Sequence, residues 1–447
     1  MILSIQERRH CQMLLKWLNI EGELRVHDSL IDKFPDKIYV QYGNLKEEMA
    51  VKCDNSIGEN YIGLPKSFGQ YYTLPQNIPY ETKIDSDTLK IGPIIVYVAA
   101  TRTNHLTKKL FKFHEKRMRN YQEIKGLFVI TAANGINIQN KSIQGYYYNP
   151  GGKYLQSRWV KGIFPYPDVL YKRRRLNRTV RQSVYEIIGE DHVINSNLFN
   201  KKELWDSMSS NRDIRQYFPY TEHFKNFQQI KNLLIKYPVL YLKPSDGSKG
   251  NGILKIERFS IDNTVQITTR NMEKKILYNI DLAEQYLRNI IRKSYLIQQG
   301  IHSEMNGHMV DFRAYLQKNR FGEWTVQGII ARAAKKNSIV TNLRFVEKLL
   351  IGHDAFKQLL KVDQSTLPDL SERVRHTCIL VCEEMDRKMG NFGDVAIDFV
   401  IDKDLKIWIL EINKAYTFQS LKILKQYRLY AKLFTTPIEY AKHLAGF

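Results

Sequence analysis

The segment that most restricts the possible folds is Val395–Asn413, VAIDFVIDKDLKIWILEIN. Two apolar runs flank the polar turn Asp402-Lys-Asp-Leu405, so the segment reads as a β-hairpin. Asp398 interrupts the first run, and Glu411 and Asn413 end the second. Strand side chains alternate between faces, which puts Glu411 and Asn413 on the same one. A short turn places Asp398 opposite Glu411 on that face. Two carboxylates facing each other at a sheet rim repel unless something cationic lies between them. An all-oxygen set suits Mg²⁺, which takes one or two carboxylates and fills its shell with phosphate oxygens. A half-solvated sheet face also carries polar residues, but WILEIN sets its acid directly inside an apolar stretch.

A second hairpin lies upstream, in YLKPSDGSKGNGILKI at 241–256. A strand ends near Lys243, a loop runs through Gly247, Ser248, Lys249 and Gly250, and another strand begins at Gly252. Glycines let the backbone approach a bound group and aim N–H donors at anionic oxygens. The loop is no Walker motif, because G-K-[ST] is missing and a strand follows it. On its own it is equally readable as a plain glycine-rich turn. Between the hairpins, HMVDFRAYLQK and EWTVQGIIARAA read as long neighbouring strands. Asp311 and Arg313 are two residues apart, face the same way and can pair with each other. Either Arg313 or Arg332 alone reads most simply as a member of an ion pair, whereas beside a phosphate loop and a metal pair one of them becomes a clamp for a transferred phosphoryl group.

The rest of the chain divides by pattern. Residues 1–88 hold short strand-like runs broken by Gly and Pro, a small β-rich domain. Residues 89–195 give strand, helix, strand (GPIIVYVAA, HLTKKLFKFHEKRMRNYQEI, GLFVITAANGINI), the signature of a small doubly wound α/β domain. Residues 196–447 form an α+β unit of hairpins with helices, closed by a capping helix in TPIEYAKHLAGF. The chain's 447 residues suffice for two or three cores. Cys378 and Cys382 fall at i, i+4 on a helix, a spacing that reads as buried core thiols rather than a metal site. There is no apolar run of membrane-spanning length and no pattern of a signal peptide, so a reduced, cytoplasmic protein is expected. Lys and Arg number 68 against 46 Asp and Glu, a net charge of +22. That excess favours anionic partners. The run Lys172-Arg-Arg-Arg175 lacks any nucleic-acid reading motif, so it is read as a solvated face or an anion-steering patch.

Taken in order, the lysine strand, glycine loop, YLIQQGI at 295–301, DFRAYLQ at 311–317, the Arg332 strand and the AIDFVID…ILEIN hairpin resemble the ATP-grasp superfamily. With FNKKELW at 199–205, YFPYT at 217–221 and FPYPDVLYKR at 164–173, the chain more narrowly resembles the YheC/YheD family of endospore coat-associated ATP-grasp proteins. The resemblance implies an ATP-grasp fold over 196–447, two α+β subdomains gripping ATP, after a pre-ATP-grasp α/β domain and the β-rich domain. It implies that Lys201 and Lys243 contact the ATP phosphates and that Gly247, Ser248, Lys249 and Gly250 form a lid. Gln298, Gln299 and Ile301 would hold adenine, and Asp398, Glu411 and Asn413 would bind Mg²⁺. Arg332 would steady the γ-phosphate, while Arg313 and Asn342 would face the substrate carboxylate. The implied activity is an ATP-dependent carboxylate–amine ligase working through an acyl phosphate on an acidic small molecule or peptide. The alternative is a spore-associated structural or binding protein that keeps the fold without turnover. The chain departs from the family pattern at Asn342-Leu-Arg-Phe-Val, where paired glycines are usual, and at Lys414-Ala-Tyr after E-x-N. Both departures lie on the acceptor side.

Overall fold

A computed structural model of the chain describes residues 11–246, 250–259, 264–291, 294–341 and 343–447. Within these, seven strands between Cys11–Leu18 and Thr88–Gly92 close into a barrel. Closure follows from strict alternation: in Lys37–Tyr42, Ile38, Val40 and Tyr42 point inward and are essentially without exposure. The barrel's turn at Gly43 docks on the next layer. Gly43 has a φ of +61°, and a Cβ there would stand 2.2 Å from the Tyr166 carbonyl oxygen. The same carbonyl accepts from Asn44 N at 2.9 Å, and Tyr166 N donates to Asn44 Oδ1 at 2.7 Å.

The second layer is a six-stranded sheet in the order Trp159–Pro165, Ser142–Tyr148, Leu127–Asn137, Ile94–Ala100, Val169–Lys172, Val193–Ile194. The last four strands run parallel, and the first two join antiparallel. Alternate residues of Ile94–Ala100 serve two cores. Ile94, Val96 and Val98 pack with the barrel and with Val180 and Val184 of the helix Arg178–Ile188. Ile95, Tyr97 and Ala99 pack with Phe111, Tyr121 and the C-terminal helix Tyr427–Leu444. The expected long helix at 105–124 is broken into Lys108–His114, a 3₁₀ turn Glu115–Met118, and Tyr121–Ile124. At the break the side chain of Arg117 is fully buried, 4.4 Å over the Tyr97 ring.

Two further sheets make up the second half of the chain. One is ordered Thr221–His223, Tyr295–Gln299, Val239–Pro244, Leu254–Arg258, Val265–Thr269, Lys274–Leu277 and is backed by the helices Phe227–Lys236 and Ile280–Ile290. The other is ordered Val346–Ile351, Trp324–Ala334, His308–Lys318, Asp394–Ile401, Ile407–Asn413. Period-two patterning decides its two faces. Phe312, Ala314 and Leu316 pack on the helix Leu367–Met389, where Cys378 and Cys382 are also buried. Fully burying one such leucine stabilises the fold by about 1.5–3 kcal/mol. Asp311 and Arg313 are left to line the opposite face.

The basic run is not the solvated patch that its letters suggest. Lys172 is 2% exposed, and the Arg173 guanidinium is buried, 3.5 Å from Asp394 and donating to the Tyr416 carbonyl at 2.7 Å. Both residues fall at the end of a parallel strand covered on two sides, so only Arg174 and Arg175 reach solvent.

Candidate functional site

The two late sheets face one another across a cleft of about 670 Å³. The first sheet contributes Lys243, Gln298 and Gln299, and the second contributes Arg313, Arg332, Asp398, Glu411 and Asn413. Lys201, Gly250 and Ile301 complete the set expected from the sequence. Gly247, Ser248, Lys249 and Asn342 lie outside the described residues.

Lys201 opens the helix Lys201–Met208, whose start is set by a reciprocal cap between Asn200 and Glu203. Its amine lies 3.6 Å from Glu411 Oε1. Lys243 ends its strand beside Tyr295–Gln299, and its Nζ donates to Gln298 Oε1 at 2.5 Å. Burial pushes the Lys243 ammonium down to about 8, against the opposing pull of Glu411. Gly252, at φ +75°, turns the following chain closely past Pro244, where a Cβ would stand 2.9 Å from the ring.

The expected register of the final hairpin is present, with Asp398 opposite Glu411 and Ala396 opposite Asn413. It arises by another route, through a five-residue connection after Ile401 and a bulge that leaves Leu410 as the extra residue. Asn413 Nδ2 donates to Asp398 Oδ2 at 3.2 Å.

The arginine pairing differs from the expectation. Asp311 and Arg313 share a face without pairing, because each finds its partner across a strand. Arg313 is in register with Asp398 and donates Nε and Nη2 to its two oxygens, both at 2.7 Å. Arg332 is opposite Asp311 and donates Nε and Nη2 to it at 2.7 and 2.5 Å. Arg332 Nη2 also lies 3.2 Å from Asp398 Oδ2, and Thr341 Oγ1 donates to Asp311. Burial raises the Asp398 carboxyl, but the two arginines outweigh that and hold it down at about 2. Burial lowers the Arg332 guanidinium, but Asp311 and Asp398 outweigh that and hold it charged, above its usual range.

Asp398, Glu411 and Asn413 together supply hard oxygen donors and no soft ones, a chemistry that fits Mg²⁺. Oδ1 of Asp398 accepts a single hydrogen bond among the described residues, and Glu411 is 39% exposed toward the cleft. No cluster of three His, Cys, Asp or Glu occurs among the described residues.

Sequence reasoning missed several residues of the cleft. Arg270 follows a strand without any motif around it, and its buried Nε has no hydrogen-bond partner among the described residues. Leu343 and Arg344 stand where glycines are usual in the resembled family, so that departure carries a cation into the cleft. Among the described lining residues, six Lys and Arg face three Asp and Glu, a cationic balance suited to a polyphosphate. The other departure is structural. Lys414 donates to the Phe199 carbonyl at 2.5 Å and sits 3.3 Å over the Phe199 ring, which anchors the last strand beside Lys201.

A family model described as YheC/D like ATP-grasp matches residues 190–444. The chain is similar to endospore coat-associated protein YheD of Bacillus subtilis (strain 168), 27% identical over 377 residues, or 79% of each chain. It is also similar to endospore coat-associated protein YheC of the same organism, 24% identical over 299 residues, which is 64% of this chain and 81% of that protein. Among solved structures it is similar to the D-alanine-D-alanine ligase from Coxiella burnetii, with a TM-score of 0.45 and 11% identity, covering 79% of this chain and 94% of that one.

Proposed function

Because the chain belongs to the YheC/D-like ATP-grasp family, we propose that it uses ATP to phosphorylate a carboxylate and then joins that carboxylate to an amine. The observation that carries this reading is the cleft, with Lys243 on one sheet, the Asp398–Glu411–Asn413 oxygens on the other, and Lys201 beside Glu411. A substrate carboxylate oxygen attacks the γ-phosphorus, and ADP leaves. The amine then attacks the acyl carbon, phosphate leaves, and the amine gives up a proton. No nucleophilic side chain is needed, because alignment and neutralised charge suffice.

In this reading Lys201 and Lys243 neutralise the phosphates, and the backbone from Gln298 to Ile301 holds the adenine edge. Mg²⁺ held by Asp398, Glu411 and Asn413 would draw charge from the phosphate oxygens. Arg313 and Arg332 keep Asp398 ionised and fixed, and each retains an Nη1 that makes no hydrogen bond among the described residues. The substrate is an acidic small molecule or peptide, matched to the cationic cleft. The names of the relatives suggest association with the spore coat, where a nucleotide-binding structural protein is the second reading. The arginine-bound state of Asp398 and the Leu343-Arg344 substitution favour that second reading.

Release of ADP upon addition of amino acids and acidic peptides separates the two. Glu411→Gln is the cleanest variant, because Glu411 is half-exposed and its ion pair with Lys201 is long. Folding stability should change by no more than about 0.5 kcal/mol, while turnover should fall roughly 10²-fold or more. Normal turnover in this variant, or no ADP release by wild type with any pair tried, removes the ligase reading.

The affinity for ATP should also depend on pH in one direction. Below about pH 8 the Lys243 amine is already protonated, so binding takes up no proton and affinity is flat. As pH rises through that value, the free protein loses the charge and binding must restore it. Affinity should then fall by up to about tenfold per pH unit. The falling limb should be missing in Lys243→Arg, which keeps its charge throughout this range, as measured by calorimetric titration.

A further inference from the structure

Beside the cleft lies a second cavity of about 580 Å³, between the second sheet and the segment after the final strand. Ala415, Tyr416, Thr417 and Gln419 line both spaces, so this segment is the wall between them. Arg173, Arg174, Lys422 and His114 line the second cavity, with no Asp or Glu among its described lining residues. Arg173 is held deep in the wall by Asp394 and by the rings of Tyr416 and Phe418, at 4.8 and 5.5 Å. Arg174 and Lys422 reach solvent at the mouth.

The charge around this cavity is not balanced by the protein. Arg117 lies behind it, fully buried, and its guanidinium finds only neutral acceptors: His114 Nδ1, the Phe434 carbonyl and the Tyr97 hydroxyl, at 3.3–3.4 Å. Lys116 donates to the Tyr430 hydroxyl at 3.1 Å. Among the described residues the one carboxylate in contact with this cluster is Asp394, which is fully buried and already accepts from Tyr171, Gln317 and Tyr416. Burial and the neighbouring Arg117 and Arg173 push the His114 imidazole down to about 2, so it stays neutral and adds no charge of its own. Uncompensated guanidinium charge in a partly dry pocket is costly, and an anion entering it recovers the lost interaction.

We infer that this cavity is a subsite for the remote anionic end of the substrate, taking a carboxylate-bearing tail between Arg173, Arg174 and Lys422. The inference rests on the ligase reading of the adjoining cleft. There, the carboxylate to be activated lies on the Arg313 side of the wall and the tail passes over Ala415–Thr417. A peptide with several acidic residues and a free polycarboxylic acid offer the same chemistry.

The test is calorimetric titration of the whole chain with tri-glutamate, tri-glutamine and citrate, at roughly 50 mM salt to keep screening weak. The double variant Arg174→Gln with Lys422→Gln should lose about tenfold or more in tri-glutamate affinity. A control with Arg175→Gln and Lys425→Gln removes the same charge from exposed residues outside the cavity and should lose less than about twofold. Tri-glutamine should not bind, and affinity for Mg-ATP should be unchanged in both variants. Tighter binding of tri-glutamate than of citrate assigns the tail to a peptide, and the reverse assigns it to a free acid. An equal loss in the control, equal binding of tri-glutamine, or no binding of either acid by wild type overturns the subsite. Absence of ADP release together with selective loss of tri-glutamate binding refutes the ligase and leaves the anion site standing, so the two failures are distinguishable.

Discussion

Arg332→Ala is expected to cost about 3–5 kcal/mol of folding stability, because it strands a buried carboxylate. Arg332 and Asp311 are 6% and 5% exposed and share two short hydrogen bonds. Removing the guanidinium leaves Asp311 with Thr341 as its remaining side-chain donor among the described residues. It also takes one of two arginines from Asp398. Urea titration should show the midpoint falling at nearly constant slope. Arg332→Lys should recover part of the loss, since an ammonium keeps the charge but cannot donate as a fork. In the folded fraction, turnover should still drop roughly 10²-fold or more if Arg332 also steadies the transferred phosphoryl group. Wild-type stability in the alanine variant would falsify the ionised Arg332–Asp311 pair.

Lys243→Met should abolish the stabilisation that Mg-ATP confers. A ligand at about 100 times its Kd adds roughly 2.7 kcal/mol to a fold that binds it only when native. For a chain of this size, that corresponds to a melting shift of a few degrees. The Lys243 amine lies in the cleft beside Gln298 and is costly to keep charged in the free protein. Methionine conserves the volume, and Gln298 keeps its donation to Thr221 Oγ1 at 3.0 Å. The variant alone should therefore melt near or slightly above wild type while losing the shift. A full ATP-induced shift in Lys243→Met would mean the phosphates lie elsewhere.

What could be read from the letters follows from what period-two patterning encodes. HMVDFRAYLQK and EWTVQGIIARAA occur as the strands His308–Lys318 and Trp324–Ala334, since a long antiparallel pair with one apolar face leaves an unambiguous alternation. The Asp398–Glu411 pairing was legible, although its bulge was not. An extra residue in a strand changes the register without changing composition. The partners of Arg313 and Arg332 depend on which strands become neighbours, a long-range choice that spacing within one strand does not contain. Lys172 and Arg173 misled for a related reason. Four consecutive basic residues look like surface until two layers close over the strand end where the first two of them lie. Arg270 left no signal at all, because a single cation after a strand matches thousands of solvated positions. Arg344 could have been found, had the loss of glycines been read as the arrival of a charge.

The C-terminal helix Tyr427–Leu444 covers the Ile95–Tyr97–Ala99 face of a strand synthesised more than three hundred residues earlier. At bacterial-to-eukaryotic elongation rates of about 5–20 residues per second, that face emerges from the ribosome tens of seconds before its cover exists. A nascent chain therefore carries an uncapped aromatic surface through most of its translation, exposed to chaperones and to neighbouring chains. A premature stop between Ser420 and Tyr427 leaves a molecule with every described residue of its cleft and an open flank a hundred residues before that cleft begins.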